Sequence, residues 1–399
     1  MPPLGRPRLG PRSGQRFRKR IKREKHHLTL PHTIMKQYIL FASAIALASC
    51  QSTGETADGE SGATWESKVH YNQEVHFENV RQLTDGGDNA EAYFSFDGTM
   101  LTFQSNAEKW GNECDQIYAF NWDTDTILED EPQLISNDLG RTTCAYFMPG
   151  DTTILYASTF AGDTACPAVP ERGESGAYVW PIYSDFDIYV SDLAGNIVDT
   201  LISGPGYDAE ATVSPDGTKI VFTSDRSGDL ELYVCDIDGS NITQVTSGLG
   251  YDGGAFFSPD SKKLVFRSSR PQTVEEITKY KDLLANGMVE PTHMEIYTCN
   301  IDGSELTQVT SLGNANWAPF YHPSGEKIIF STNHHSEKGY PFNLFMINTD
   351  GTDLQQISYD GVFDAFPMFS PDGSKLVYAS NRNNGGTRAT NLFIVDWKE

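Results

Sequence analysis

Residues Gly206–Arg226 read GYDAEATVSPDGTKIVFTSDR. The same pattern returns as GYDGGAFFSPDSKKLVFRSSR at Gly250–Arg270 and as GVFDAFPMFSPDGSKLVYASNR at Gly361–Arg382. Within the first copy, Ala211–Ser214 runs into Pro215-Asp216-Gly217, where proline presets φ and glycine accepts the tight bend, and Lys219–Ser224 then alternates apolar and polar residues. That is a β-hairpin. Leu230–Asp236 (LELYVCD) predicts a third strand, Asp238-Gly239 a second turn, and Ile242–Thr246 a fourth strand.

Aligned on the turn, the chain holds six copies, at Ser95 (SFDG), Met148 (MPGD), Ser214 (SPDG), Ser258 (SPDS), His322 (HPSG) and Ser370 (SPDG), at intervals of 44 to 66 residues. The shortest interval is one four-stranded propeller blade, and the longer ones carry insertions. LTQVTS at Leu306 repeats ITQVTS at Ile242, with LQQISY at Leu354 a looser copy of the same fourth strand. The last copy reaches its third strand, NLFIVDW at Asn391, and its fourth is missing. NVRQLTDGG at Asn79 reads like an outer strand with no blade before it, so Glu78–Thr84 is expected to complete the sixth blade. The expected fold is therefore all-β: a six-bladed propeller of four-stranded blades, closed by pairing the N-terminal strand with the last blade, which removes exposed sheet edges. The Pro, Asp and Gly of the turns are assigned to folding.

Ahead of the repeats the chain changes character. Residues 1–34 are rich in Arg, Lys and Pro without apolar periodicity and are expected to be an unfolded upstream extension, with Met35 the true start. Met35–Cys50 (MKQYILFASAIALASC) has a basic start and an apolar run too short to span a bilayer, the pattern of a secretory signal. Leu47-Ala48-Ser49-Cys50 resembles the lipobox of bacterial lipoproteins, which implies acylation of Cys50; an ordinary cleavable signal is the alternative. Residues 51–68 are expected to be a flexible tether, and 69–399 the propeller. Residues 1–50 hold eleven of the 30 basic and one of the 54 acidic side chains, leaving a net charge of −34 for the remainder. Such a surface repels phosphate backbones, which argues against nucleic acid as a partner, and it offers anionic lipid no basic patch, so membrane attachment falls to the acyl anchor.

SPDG, an S-x-R at the end of the second strand (Ser224-Asp225-Arg226, Ser268-Ser269-Arg270, Ser380-Asn381-Arg382) and the QVT outer strand together resemble the propeller repeat of TolB and the WD40-like proteins around it. The resemblance covers residues 78–399 and is tightest in blades 3, 4 and 6. It does not extend to the α/β domain that precedes the TolB propeller, so the transport role of that system is not carried over, and the lipobox is a second departure, since TolB is soluble in the periplasm. The resemblance implies a lipid-anchored protein of the bacterial cell envelope, the outer membrane being favoured, whose partner is an envelope protein, a peptide or a small ligand.

In a propeller the inner strands line a channel. Six residues before each turn motif stand Asn89, Thr142 (beside Arg141), Asp208, Asp252, Asn316 and Asp364, expected as a polar ring at the channel mouth that binds a divalent cation or a basic peptide end. The bland reading is that each caps its own loop. Two residues later come Glu91, Cys144, Glu210, Gly254, Ala318 and Phe366; Glu91 and Glu210 are the better candidates because their equivalents are not acidic. Phe160–Phe186, an insertion in blade 2 with the aromatics Tyr178, Trp180, Tyr183 and Phe186, is expected to wall a ligand site or plug the channel, and Ile277, Tyr280, Leu283 and Leu284 in blade 4 predict a helix packed on the ring. Cys235 and Cys299 are expected to be buried thiols. One disulfide is expected among Cys114, Cys144 and Cys166, with Cys144 as the shared partner. No G-x-S-x-G, H-E-x-x-H or C-x-x-C motif occurs. His334-His335, with His293 or His322, is a possible metal set of the kind some propeller lyases use. A non-catalytic binding or scaffolding propeller is the leading expectation; a metal-dependent hydrolase or lyase, or the regulatory partner of a separate peptidase, is the alternative.

Overall fold

The computed structural model describes residues 69–399 except 124–126, 129, 170–177 and 338; the leader, Cys50 and the tether lie outside the described residues. Six antiparallel four-stranded sheets are present. From the inside outward, blade 1 is Asn89–Phe94, Met100–Ser105, Gln116–Asn121 and Gln133–Leu134, and blade 2 is Thr142–Phe147, Thr153–Ser158, Asp187–Asp192 and Ile197–Ile202. Blade 3 is Asp208–Val213, Lys219–Ser224, Glu231–Asp236 and Thr243–Gln244; blade 4 is Asp252–Phe257, Lys263–Ser269, Met294–Asn300 and Thr307–Gln308. Blade 5 is Asn316–Tyr321, Lys327–Thr332, Asn343–Asn348 and Gln355–Gln356. Blade 6 is Asp364–Phe369, Lys375–Ser380, Asn391–Trp397 and, from the other end of the propeller, Phe77–Gln82. Each inner strand packs against the next, and the sixth against the first.

The turn motif holds its hairpin through side chains. Ser95, Ser214, Ser258 and Ser370 donate to the aspartate two residues on (2.6–2.7 Å), and each hydroxyl accepts the backbone N–H five residues on, closing the bend from within. The outer-strand motif works similarly. Outer strands of blades 1, 3, 4 and 5 pair for only two residues, because the following Ser or Thr replaces the backbone ladder: Ser136, Thr246, Thr310 and Ser358 each accept a third-strand N–H. Thr84 does the same for Leu392 (2.9 Å), so the N-terminal LTD behaves chemically as the outer strand of blade 6.

Closure goes beyond that strand. Val69–His76 crosses blade 6, and Glu74 and Asp364 clasp Arg382 between them at 2.9–3.2 Å, all three side chains fully buried. Arg382 also donates to the Val69 carbonyl, Tyr71 donates to Asp360, and His76 stacks on Trp397 with ring centroids 4.9 Å apart. Apolar faces of neighbouring sheets fill the space between blades, for example Ile329, Leu344, Tyr378 and Phe393 between blades 5 and 6, the burial that an isolated sheet cannot achieve.

Candidate functional site

The six polar residues at the starts of the inner strands are buried, and of the six only Thr142 is among the residues that line the cavity described below. Asp208 takes Arg226 of its own blade at 2.7 Å, Asp252 takes Arg270 and Asp364 takes Arg382. Where the S-x-R arginine is missing, the acid is missing too: Asn89 bonds Ser105 and the Gly86 and Thr390 carbonyls, Thr142 the Asp115 carbonyl, and Asn316 the Met294 and Gly313 carbonyls. The three aspartates are buried because each is paired: buried charge needs a partner, and the arginine just past the second strand supplies it.

The channel is instead shaped two residues later. In every blade the register between the inner two strands slips by one residue, and Glu91, Cys144, Glu210, Gly254, Ala318 and Phe366 sit there with φ between +47° and +59°. A bulge of this kind leaves one residue unpaired and re-aims it, and these six line one constriction of the channel. Below them Tyr93, Tyr146, Phe256 and Phe320 close the axis with ring centroids 5.1–6.4 Å apart.

Glu210 is fully engaged. Its Oε1 accepts from Tyr251 (2.8 Å) and from Arg267, and its Oε2 from Thr223 (2.7 Å) and the Gly254 N–H (2.9 Å). Burial would raise this carboxyl, but the Arg267 guanidinium and the donors outweigh it and hold it below the usual range. Gly254 is required here, since a Cβ would stand 1.8 Å from Arg267 Nη1. Glu91 is the opposite case. Its Oε2 is shielded from solvent without a hydrogen-bond partner among the described residues, and burial pushes the carboxyl up to about 7 against the Cys144 thiol that donates to it. Burial and the two carboxylates hold that thiol well above its ordinary range, hence neutral.

Above the constriction opens a cavity of about 370 Å³. One side carries the Arg141–Asp115 ion pair; the opposite side carries Glu210–Arg267. Tyr183, Phe186, Tyr207, Trp317, Tyr340 and Phe366 supply apolar walls. Two insertions roof it together. Trp180–Pro181 of blade 2 pairs with Met288–Val289 of blade 4, reaching over blade 3; the Arg267 guanidinium lies over the Trp180 ring (5.1 Å), which meets Trp317 at a tilt (5.2 Å between centroids). The blade 4 insertion opens with the helix Val274–Ala285, started by a Thr273/Glu276 capping box and packed through Tyr280, which bonds Asp229. The blade 2 insertion thus forms wall and roof, as far as its described residues extend.

The TolB beta propeller domain family matches residues 151–279. The repeats within that stretch match the TolB propeller type. Solved structures similar to this chain include TolB proteins of Agrobacterium tumefaciens (18% identity, 78% of this chain and 91% of that one, TM-score 0.48) and Acinetobacter baumannii (18%, 78% and 64%, TM-score 0.46). An oligogalacturonate lyase of Vibrio parahaemolyticus is also similar (12%, 80% and 96%, TM-score 0.47). No curated protein matches the sequence.

Two expectations are corrected. The disulfide joins Cys114 to Cys166, with Cα atoms 5.9 Å apart, and stitches the blade 2 insertion to the top of blade 1; Cys144 is a free thiol turned to the channel by its bulge. Cys235 and Cys299 are buried free thiols, as expected. The histidines do not assemble. His334 and His335 pack on Phe345, and His335 bonds Asn343, whereas His322 lies on a hairpin turn against Phe369 and Glu399. Among the described residues no group of three His, Cys, Asp or Glu is placed to hold a metal. Sequence reasoning missed Arg267 and Gln104. They occupy the same second-strand position, where the other blades carry Ala157, Thr223, Ser331 and Ala379; a long polar residue among small ones was the available signal.

Proposed function

We propose that this protein is a binding propeller of the bacterial cell envelope, held to a membrane through Cys50, which captures a ligand or the end of a partner chain in the cavity above the bulge ring. The observation that carries the reading is the roof: two insertions from non-adjacent blades are spent on covering the channel mouth with aromatic surface. Concave, largely aromatic sites with a few convergent polar groups are the usual form of ligand pockets. The propeller supplies the rigid frame, and its charge disfavours polyanionic occupants.

One observation favours a second reading, catalysis in the same cavity: a carboxyl held near neutrality, as Glu91 is, suits a general acid. Both readings are tested by recovering the natural occupant. Wild-type protein and the wall variant Tyr183→Ala/Tyr340→Ala are purified from the native envelope and their bound molecules identified by mass spectrometry. Binding predicts an occupant retained unchanged by the wild type and lost from the wall variant but not from Pro215→Ala on the opposite face. Recovery of a chemically converted product supports the second reading, and equal recovery from all three proteins refutes both.

A further inference from the structure

Among the described residues, Glu91 is the ring carboxylate without an ion-pair partner of its own: one of its oxygens accepts no hydrogen bond, and the nearby Arg267 is bonded to Glu210. Glu210 is neutralised by Arg267 and Asp115 by Arg141. The groups facing Glu91 are Cys144, Glu210, Arg267, Asp115 and Tyr93; both cations among the site's charges are already committed, and the thiol and phenol are neutral. A buried polar oxygen without a partner is costly, and a buried carboxylate without a cation more so. We propose that the cavity receives a primary ammonium carried on an aromatic or aliphatic body, and that Glu91 is its counter-ion. This rests on the binding reading above.

The alternatives fit the geometry worse. A divalent cation such as calcium needs six to eight oxygens, yet both Glu210 oxygens are occupied by donors and the Gln104 carbonyl is taken by Thr143. A neutral polyol satisfies the hydrogen bond but leaves the charge. A guanidinium is planar and donates in pairs, whereas only one Glu91 oxygen lacks a partner here. An ammonium supplies a compact charge with rotatable donors, and the cavity's aromatic faces suit both it and its apolar body.

Phenethylamine and its uncharged counterpart phenethyl alcohol are titrated calorimetrically into wild type and Glu91→Gln, a variant that keeps the shape and removes the charge. The expected result at pH 8 is at least tenfold tighter binding of the amine by the wild type, a preference abolished in the variant. For the wild type, amine affinity falls about tenfold per pH unit once the medium is more acidic than the Glu91 carboxyl, because the ammonium requires the ionised form. Phenylalanyl-glycinamide in place of phenethylamine separates a peptide amino terminus from a small amine as the source of the charge. Equal affinity for amine and alcohol, or an unchanged preference in the variant, overturns the ammonium and leaves the cavity a binding site. Failure of both probes to bind at millimolar concentration also overturns it, while the binding reading is then decided by the envelope recovery alone.

Discussion

Replacing Arg382 by Met isolates what fastens the ring. The methionine keeps most of the volume but removes a guanidinium that gives four hydrogen bonds to the Glu74 and Asp364 carboxylates, with no side chain of the three exposed. Two carboxylates are then left buried together, with Asp360 beside them already pushed upward by burial and by Asp364. Stripping one partner from a buried ion pair costs about 3–5 kcal/mol. Unfolding entropy scales at about 2.1 cal/mol/K per residue, so for a propeller of roughly 330 residues this corresponds to a fall in Tm of about 4–7 °C. Arg226→Met is the internal control: the same repeat position in blade 3, but a side chain 30% exposed that pairs with one carboxylate, Asp208, besides the Ser224 hydroxyl, and a loss of less than half that size is expected. Differential scanning calorimetry of both variants decides it. A fall of less than about 1.5 °C for Arg382→Met, or equal falls for the two, refutes the argument that the N-terminal segment closes the ring through a buried charge.

Glu91→Gln is expected to change the pH dependence of stability with a defined sign. The folded protein holds this carboxyl up to about 7, above its unfolded value, so the wild type loses stability as pH rises through that interval; the variant should gain by up to about 3 kcal/mol above pH 7 and nothing below pH 4, as read by urea melts across pH, and a gain confined to acid would contradict it. Gly254→Ala is expected to cost about 2 kcal/mol or more, since its φ is +59° and the added methyl displaces Arg267 from Glu210; an unchanged urea midpoint would show that the guanidinium moves freely. Non-reducing peptide mapping should recover Cys114 linked to Cys166 and Cys144 as a thiol that alkylates more slowly in the folded than in the unfolded protein, because it is held neutral; a linked peptide containing Cys144 would reverse the assignment. Cys166→Ser should lower stability by up to about 4 kcal/mol, the chain-entropy value for the 52-residue separation.

The fold was legible because its signals are local and repeated. Ser, Pro, Asp and Gly close a bend through hydrogen bonds spanning five residues, and a Thr or Ser finishes each short outer strand, so six copies of a turn report six blades. Closure was legible for the same reason: Thr84 carries the outer-strand chemistry far from its blade. The role of Asp208, Asp252 and Asp364 was not, because spacing places them near the axis without saying which way they point; their arginines were visible in S-x-R, yet the pairing is between strands. The Cys114–Cys166 bridge depended on the path of an insertion that no repeat constrains.

What distinguishes the site is that departures from the repeat come as matched sets. Arg267 in a slot that holds a small residue in four of the other blades would be an unpaired buried cation by itself. It stands only because Glu210 replaces an uncharged bulge residue one blade back and Gly254 clears room for the guanidinium. Gln104 is matched in the same way, its carbonyl taken by the Thr143 hydroxyl and the Cys144 N–H of the next blade. Each set bridges two neighbouring blades, and the two insertions that meet over blade 3 extend the asymmetry to the roof. Folding asks only that six sheets bury one another; it gives no reason for these substitutions to gather on one arc of the channel around Glu91, whose Oε2 has no hydrogen-bond partner among the described residues. Removing both Arg267 and Glu210, as Arg267→Ala/Glu210→Ala, should therefore leave stability nearer to wild type than Arg267→Ala alone, because the orphaned charge goes with its partner.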